Sequence, residues 1–136
     1  MARGRILVVD DESLFRQMVR DLLEMAGFTV GEAVDGADGL AKATAFHPDL
    51  ILLDLMMPDL DGYTVCHSLK ADPATRAIPV IFLTASPGHD ATRQAVAAGA
   101  AACLTKPFNL DGLLVVVNTI LQGVARDNPM GPEITS

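Results

Sequence analysis

The feature that most constrains this chain is a set of short apolar runs, each unbroken and each stopping on a polar side chain. They are "RILVVD" at 5–10, "LILLD" at 50–54, "PVIFLT" at 79–84 and the weaker "AACLTK" at 101–106. A strand with one wet face alternates apolar and polar residues, so continuous hydrophobicity marks strands covered on both faces. "FTVGEA" at 28–33 is shorter and more polar, as suits a sheet edge.

Segments with helical spacing lie between these runs. The first carries Leu14, Met18 and Leu22 beside Phe15, Val19 and Leu23, and Gly27 is placed to stop it as a left-handed cap. A second helix is expected from about Gly36 to Phe46, closed by Pro48, and a third from about Asp61 to Ala71, closed by Asp72 and Pro73. A fourth, near 90–98, is Ala-rich and thin in large side chains, so it is expected to be the most loosely held. The last begins with Asn109 as N-cap and sets Leu110, Leu113, Leu114, Val117, Leu121 and Val124 on one stripe. Val115 and Val116 fall off that stripe; they are expected to pack on a neighbour or stand singly exposed, with a partner surface as the alternative.

Five alternations of strand and helix call for an α/β fold: a doubly wound parallel sheet of five strands, with five helices on its two faces and right-handed crossovers. At 136 residues the chain fits one domain, read here as 1–123, and residues 124–136, with Pro, Gly and no period, read as a flexible tail or truncated linker. A net charge of -7 with no Trp argues against a nucleic-acid surface, because phosphate binding needs clustered Lys and Arg. Cys66 and Cys103 lie in apolar segments without metal-ligand spacing and read as reduced thiols rather than a disulfide. No run resembles a signal peptide or spans a bilayer, so a cytoplasmic protein with no membrane contact is expected.

In such sheets, ligands sit beyond the carboxyl ends of the strands. Reading each run to its end gives Asp10 and Asp11 after the first strand, Asp54 at the third, Thr84 at the fourth and Lys106 after the fifth. Singly, each has an ordinary explanation: a helix cap, a turn, a satisfied hydroxyl, a solvated ammonium. Together, parallel strands would gather three carboxylates, a hydroxyl and an ammonium in one hollow. Three carboxylates that close repel one another unless a cation sits among them. All-oxygen ligation with positions left for water and phosphate suits Mg²⁺; zinc would want His or Cys. His47, His67 and His89 are scattered and read as surface residues. A metal-held carboxylate beside a lysine and a hydroxyl suits phosphoryl transfer onto that carboxylate, with Asp54 attacking, Lys106 and Mg²⁺ neutralising the phosphoryl oxygens, and Thr84 donating to one of them.

These motifs resemble the receiver domain of bacterial two-component response regulators. "ILVVDDE" at 6–12, "LILLDLMMPDLDGY" at 50–63, "IPVIFLTA" at 78–85 and "LTKPF" at 104–108 match that family in order and spacing, over residues 5 to about 122. The resemblance implies a CheY-like, flavodoxin-like sheet of order 2-1-3-4-5. It implies Asp54 as phosphoacceptor from a histidine kinase or histidine phosphotransfer protein. Asp11 is implied as a direct Mg²⁺ ligand, Asp10 as a ligand or water-mediated partner, and Met56 as a ligand through its backbone carbonyl. The Met56 and Ser86 side chains take positions that tune phosphate lifetime, and Ala85 is small, as phosphoryl access requires. Lys106–Pro107 is similar to a peptide that is commonly cis in the family, an isomer tolerated before proline. Pro58 and Gly62 are expected to shape the loop that carries Met56 and Met57.

One departure stands out: Cys103 occupies the position where the family usually carries a Tyr or Phe that swings inward on activation. The usual coupling of Thr84 to an aromatic ring is therefore not expected. Signalling rather than substrate turnover is the implied role, toward a downstream effector or output domain, through a surface around the fourth and fifth helices that also offers a homodimer contact. The chain reads as a single-domain regulator or a receiver cut from something longer. Three rivals share features. A haloacid dehalogenase-type phosphatase is suggested by "DLDGY" at 59–63, but Asp59 does not end a strand. A flavodoxin-like FMN binder would need a glycine- and hydroxyl-rich first loop where "DDES" stands. An unphosphorylated pseudo-receiver would keep the residues without the chemistry.

Overall fold

A computed structural model of the chain describes residues 4–84, 93, 94, 97–105 and 110–126. Its strands are β1 (Arg5–Val9), β2 (Thr29–Ala33), β3 (Leu50–Asp54), β4 (Val80–Thr84) and β5 (Ala102–Thr105). Among the described residues its helices are α1 (Ser13–Met25), α2 (Gly36–Ala45), α3 (Gly62–Ala71) and α4 (Leu110–Arg126). All strand pairs are parallel and the sheet order is β2-β1-β3-β4-β5, the doubly wound, flavodoxin-like arrangement expected. Of the helix expected near 90–98, Arg93, Gln94 and Ala97 are helical and Ala98 lies in a turn; the remaining positions, like Asn109, lie outside the described residues.

The unbroken apolar runs follow from burial on two sides. In β1, β3 and β4 the odd members of one set, Leu7, Val9, Ile51 and Leu53 with Val80 and Phe82, pack with Val65, Cys66 and Leu69 of α3 and Ala43 of α2. Their chain neighbours Ile6, Val8, Leu50, Leu52, Ile81 and Leu83 pack with Val19 and Leu23 of α1 and Leu113 and Val117 of α4. A fully buried side chain of this kind stabilises the fold by about 1.5–3 kcal/mol, so neither face tolerates a polar residue without a partner.

Local chemistry sets the helix ends. Gly27, at φ +101°, donates its N–H to the Glu24 carbonyl, and Phe28 donates to Leu23, closing α1 with a left-handed residue as expected. Asp35 and Asp61 cap α2 and α3, their carboxylates accepting the N–H groups of Asp38 and Thr64 at 2.8 Å each.

Two sequence readings need adjustment. Only one face of α1 reaches the sheet, so Leu14 and Met18 are 82% and 46% exposed while Val19 and Leu23 are buried. The apolar stripe of α1 is wider than its contact. Helix α4 runs to Arg126, taking in three residues of the stretch read as a tail after Gly123, whose Cβ position meets nothing within 4 Å. Only the helix-propensity cost of glycine, about 1 kcal/mol, opposes that continuation. Val116 packs against the core while Val115 is 63% exposed, so the pair divides between the two ordinary fates. Cys66 and Cys103 are free thiols, and His47 and His67 are exposed, as expected; His89 lies outside the described residues.

Candidate functional site

Strand register builds the site. Val9 pairs with Leu53, so one residue further Asp10 comes level with Asp54, and Asp54 in turn pairs with Leu83, directly before Thr84. The sheet order reverses between β1 and β3, which places this edge at the topological switch point. Carboxylate oxygens of Asp10, Asp11 and Asp54 lie within 4.8 Å of one another. Asp10, Asp54 and Thr84 are 0%, 5% and 3% exposed, whereas Asp11 is exposed. The cluster is thus two buried acids with one open to solvent, an oxygen-only donor set that could hold a hard divalent cation.

Backbone contacts hold Asp10 and Asp54 in place. Asp10 donates its N–H to the Ala33 carbonyl at 3.1 Å and accepts the Glu12 N–H on Oδ1 at 2.9 Å. The ordinary explanation of Asp10 or Asp11 as the cap of the first helix does not hold: Glu12 is the N-cap residue, and its side chain makes no capping bond. Asp54 Oδ1 accepts the Met56 N–H at 3.2 Å. The Leu55 N–H reaches the Leu83 carbonyl at 3.0 Å and Gly62 donates to Leu55 at 3.0 Å, so the loop after β3 folds back onto its own strand end. The Met56 side chain is 74% exposed, which fits a residue useful through its main chain.

Thr84 pairs in register with Thr105, the chain neighbour of Lys106. Lys106, Pro107, Ala85 and Ser86 lie outside the described residues. Cys103 is partly buried against the same core cluster as Tyr63, whose ring meets Phe82 edge-on at 5.3 Å. Burial pushes the pKa of both the Tyr63 hydroxyl and the Cys103 thiol above its ordinary value, disfavouring their charged forms.

The acids of "DLDGY" are employed elsewhere. Asp59 accepts the N–H groups of Gly36 and Ala37 at 2.9 and 3.0 Å, and those bonds, Gly36 first, hold its carboxyl below the usual range. Asp61 caps α3. Neither joins the acid cluster, and with that the dehalogenase-type alternative loses its support.

The response regulator receiver domain model matches residues 6–118 of the sequence. The chain belongs to that family. It is 44% identical over 122 residues to the DNA-binding dual master transcriptional regulator RpaA of Synechocystis, covering 90% of this chain and 51% of that protein. It is 38% identical over 110 residues to protein PilG of Pseudomonas aeruginosa, covering 81% of this chain and 82% of PilG. The receiver thus spans about half of RpaA and most of PilG. The chemotaxis protein CheY4 of Vibrio cholerae superposes with a TM-score of 0.83 at 33% identity, over 88% of this chain and 99% of that one. The chain is therefore a phosphorelay receiver, and no helix among its described residues is long and apolar enough to cross a membrane.

Sequence reasoning missed Arg16. Its Nη1 donates to the Asp10 carbonyl at 2.7 Å and its Nε to Glu32 Oε1 at 3.1 Å. The available signal was an arginine one turn into α1 and a glutamate in the edge strand.

Proposed function

We propose that this receiver accepts a phosphoryl group on Asp54 from the phosphohistidine of a histidine kinase or phosphotransfer protein, in a Mg²⁺-dependent reaction in the cytoplasm. The carrying observation is the convergence of the Asp10, Asp11 and Asp54 carboxylates within 4.8 Å at the switch point of the sheet. Asp10, Asp11 and the Met56 carbonyl are the groups that would hold Mg²⁺ beside Asp54. Bound there, the ion supplies positive charge to acids that otherwise repel and to the incoming phosphoryl oxygens.

A carboxylate oxygen of Asp54 attacks phosphorus, the P–N bond to the donor imidazole breaks, and its electron pair leaves with that nitrogen. The Met56 N–H on Oδ1 fixes the plane of the attacking carboxylate. The Thr84 hydroxyl donates to a phosphoryl oxygen, and Lys106 neutralises another. Positioning and charge neutralisation supply most of the acceleration in such transfers. Hydrolysis of the aspartyl phosphate resets the domain, and the Met56 and Ser86 side chains bear on how fast water reaches it. No external substrate is turned over.

The added phosphate biases a pre-existing equilibrium toward a surface around α4 and the helix expected near 90–98, read by a downstream effector, an output domain or a second copy. With Cys103 in β5, that bias proceeds without an inward-swinging ring at this position. Incubation with phosphoramidate and Mg²⁺ should add one phosphoryl mass to the wild type and none to Asp54→Ala. Equal incorporation in both would remove Asp54 as acceptor.

A further inference from the structure

The carbonyl that Arg16 grips belongs to the peptide joining Asp10 to Asp11. Both acids project from the ends of that one planar unit, so its tilt sets the directions of both carboxylates relative to Asp54. The contacts that hold it include the Asp10 N–H on the Ala33 carbonyl, the Glu12 N–H on Asp10 Oδ1, and the Arg16 Nη1 on the Asp10 carbonyl. Main-chain N–H groups donate in the first two. In the last the donor is the Arg16 side chain.

Arg16 is itself anchored. Its side chain is 12% exposed and its Nε pairs with Glu32 of β2, whose second oxygen takes Arg20 Nη1 at 2.7 Å. The Arg20 hydrogen bond, chiefly, holds the Glu32 carboxyl below its ordinary range, so it remains a charged anchor. The main-chain carbonyl of Glu32 accepts Lys42 Nζ at 2.7 Å, tying the same strand residue to α2. The guanidinium therefore spans from the edge strand to the acid-bearing loop with two donors in fixed geometry, which a lysine cannot reproduce.

We propose that Arg16, held by Glu32, is a positioning residue for the cation and phosphoryl site: it sets the Asp10–Asp11 peptide so that both carboxylates face Asp54. This rests on the reading of the acid cluster as a Mg²⁺ site. Arg16 makes no contact with the reacting atoms. Because its Nη1 bond goes to the peptide carbonyl, its contribution is geometric, and loss should appear in metal affinity rather than only in fold stability.

Calorimetric Mg²⁺ titration of the full chain tests this, with thermal midpoints recorded in EDTA. Arg16→Met should weaken Mg²⁺ binding about tenfold, the size seen when groups supporting metal ligands are removed. Arg16→Lys should recover only part of that loss. Glu32→Gln, which keeps Arg16 but loosens its anchor, should weaken binding by about two- to threefold and supplies the reading should Arg16→Met not fold. Arg20→Met, which shares Glu32 but does not touch Asp10, should stay within about twofold of wild type. Unchanged affinity in Arg16→Met and Glu32→Gln, with only the EDTA midpoint lowered, overturns the positioning role and leaves the metal site standing. A wild type that binds no Mg²⁺ overturns both.

Discussion

Gly62 occupies a position where any side chain would collide with the backbone at the strand end that carries Asp54. A Cβ there would lie 2.8 Å from the Asp54 carbonyl oxygen and 2.8 Å from Leu55 Cα, both backbone atoms that cannot rotate aside. Gly62→Ala should therefore cost about 1–3 kcal/mol, the range for overpacking, and should push the Met56 loop away from Asp54. Urea unfolding would read the first effect and the phosphoramidate labelling rate the second; a variant of wild-type stability and rate would contradict the close approach. At this scale the sequence was legible wherever a residue broke its local pattern. Asp54 announced itself as an acid ending four aliphatic residues, and Thr84 and Asp10 likewise ended apolar runs. Arg16 did not, because its partners are a backbone carbonyl and a glutamate sixteen positions away. A charged residue on a helix is ordinarily just solvated, and nothing local separates the two cases.

Helix α3 carries Gly62 in its first turn, so its start fixes the loop behind Asp54. The Asp61 carboxylate accepts the Thr64 N–H at 2.8 Å, satisfying one of the donors a helix N-terminus leaves open. Asp61→Ala should destabilise the protein by about 1 kcal/mol, while Asp61→Asn should recover most of that loss; equal stability of Asp61→Ala and wild type in urea would show the cap to be idle. Element ends with such chemistry were readable in advance. Gly27 stopped α1 and Asp61 began α3 because left-handed backbone and orphan N–H groups each demand a particular residue. The end of α4 was misread for the converse reason: Gly123 faces open space, where glycine carries a small propensity cost and no geometric instruction. The width of the α1 stripe misled in the same way, since period reveals which residues share a face but not how much of that face the sheet covers.

Whole-molecule geometry is what gathers acids forty-four positions apart, and only part of it was readable. Alternation of continuous apolar runs with amphipathic segments fixed a parallel sheet covered on both faces. The order of its strands, on which the meeting of Asp10 with Asp54 depends, came from family resemblance, because alternation alone permits several orders. The register then carries an energetic consequence for the entire fold. Two unit charges about 4.8 Å apart at an effective dielectric of about 20 repel by roughly 3 kcal/mol, and three carboxylates meet within that distance. Backbone donors such as the Met56 N–H offset part of it. The metal-free protein should therefore gain stability when Asp54 becomes neutral: in EDTA, Asp54→Asn should unfold at a higher temperature than wild type, by on the order of 3 °C for about 1 kcal/mol. On the proposed function Mg²⁺ would bind the folded state and not the unfolded chain, so at a hundred times its dissociation constant it should stabilise the wild type by about 2.7 kcal/mol. The same concentration should do less for Asp54→Asn, which has lost one of the charges that attract the ion, so the difference between the two proteins should shrink or reverse. Thermal melts of both, with EDTA and with saturating Mg²⁺, would expose this crossing. Should Asp54→Asn melt below wild type in EDTA, the acids do not strain the fold, and the case for a cation as their natural neighbour weakens with them.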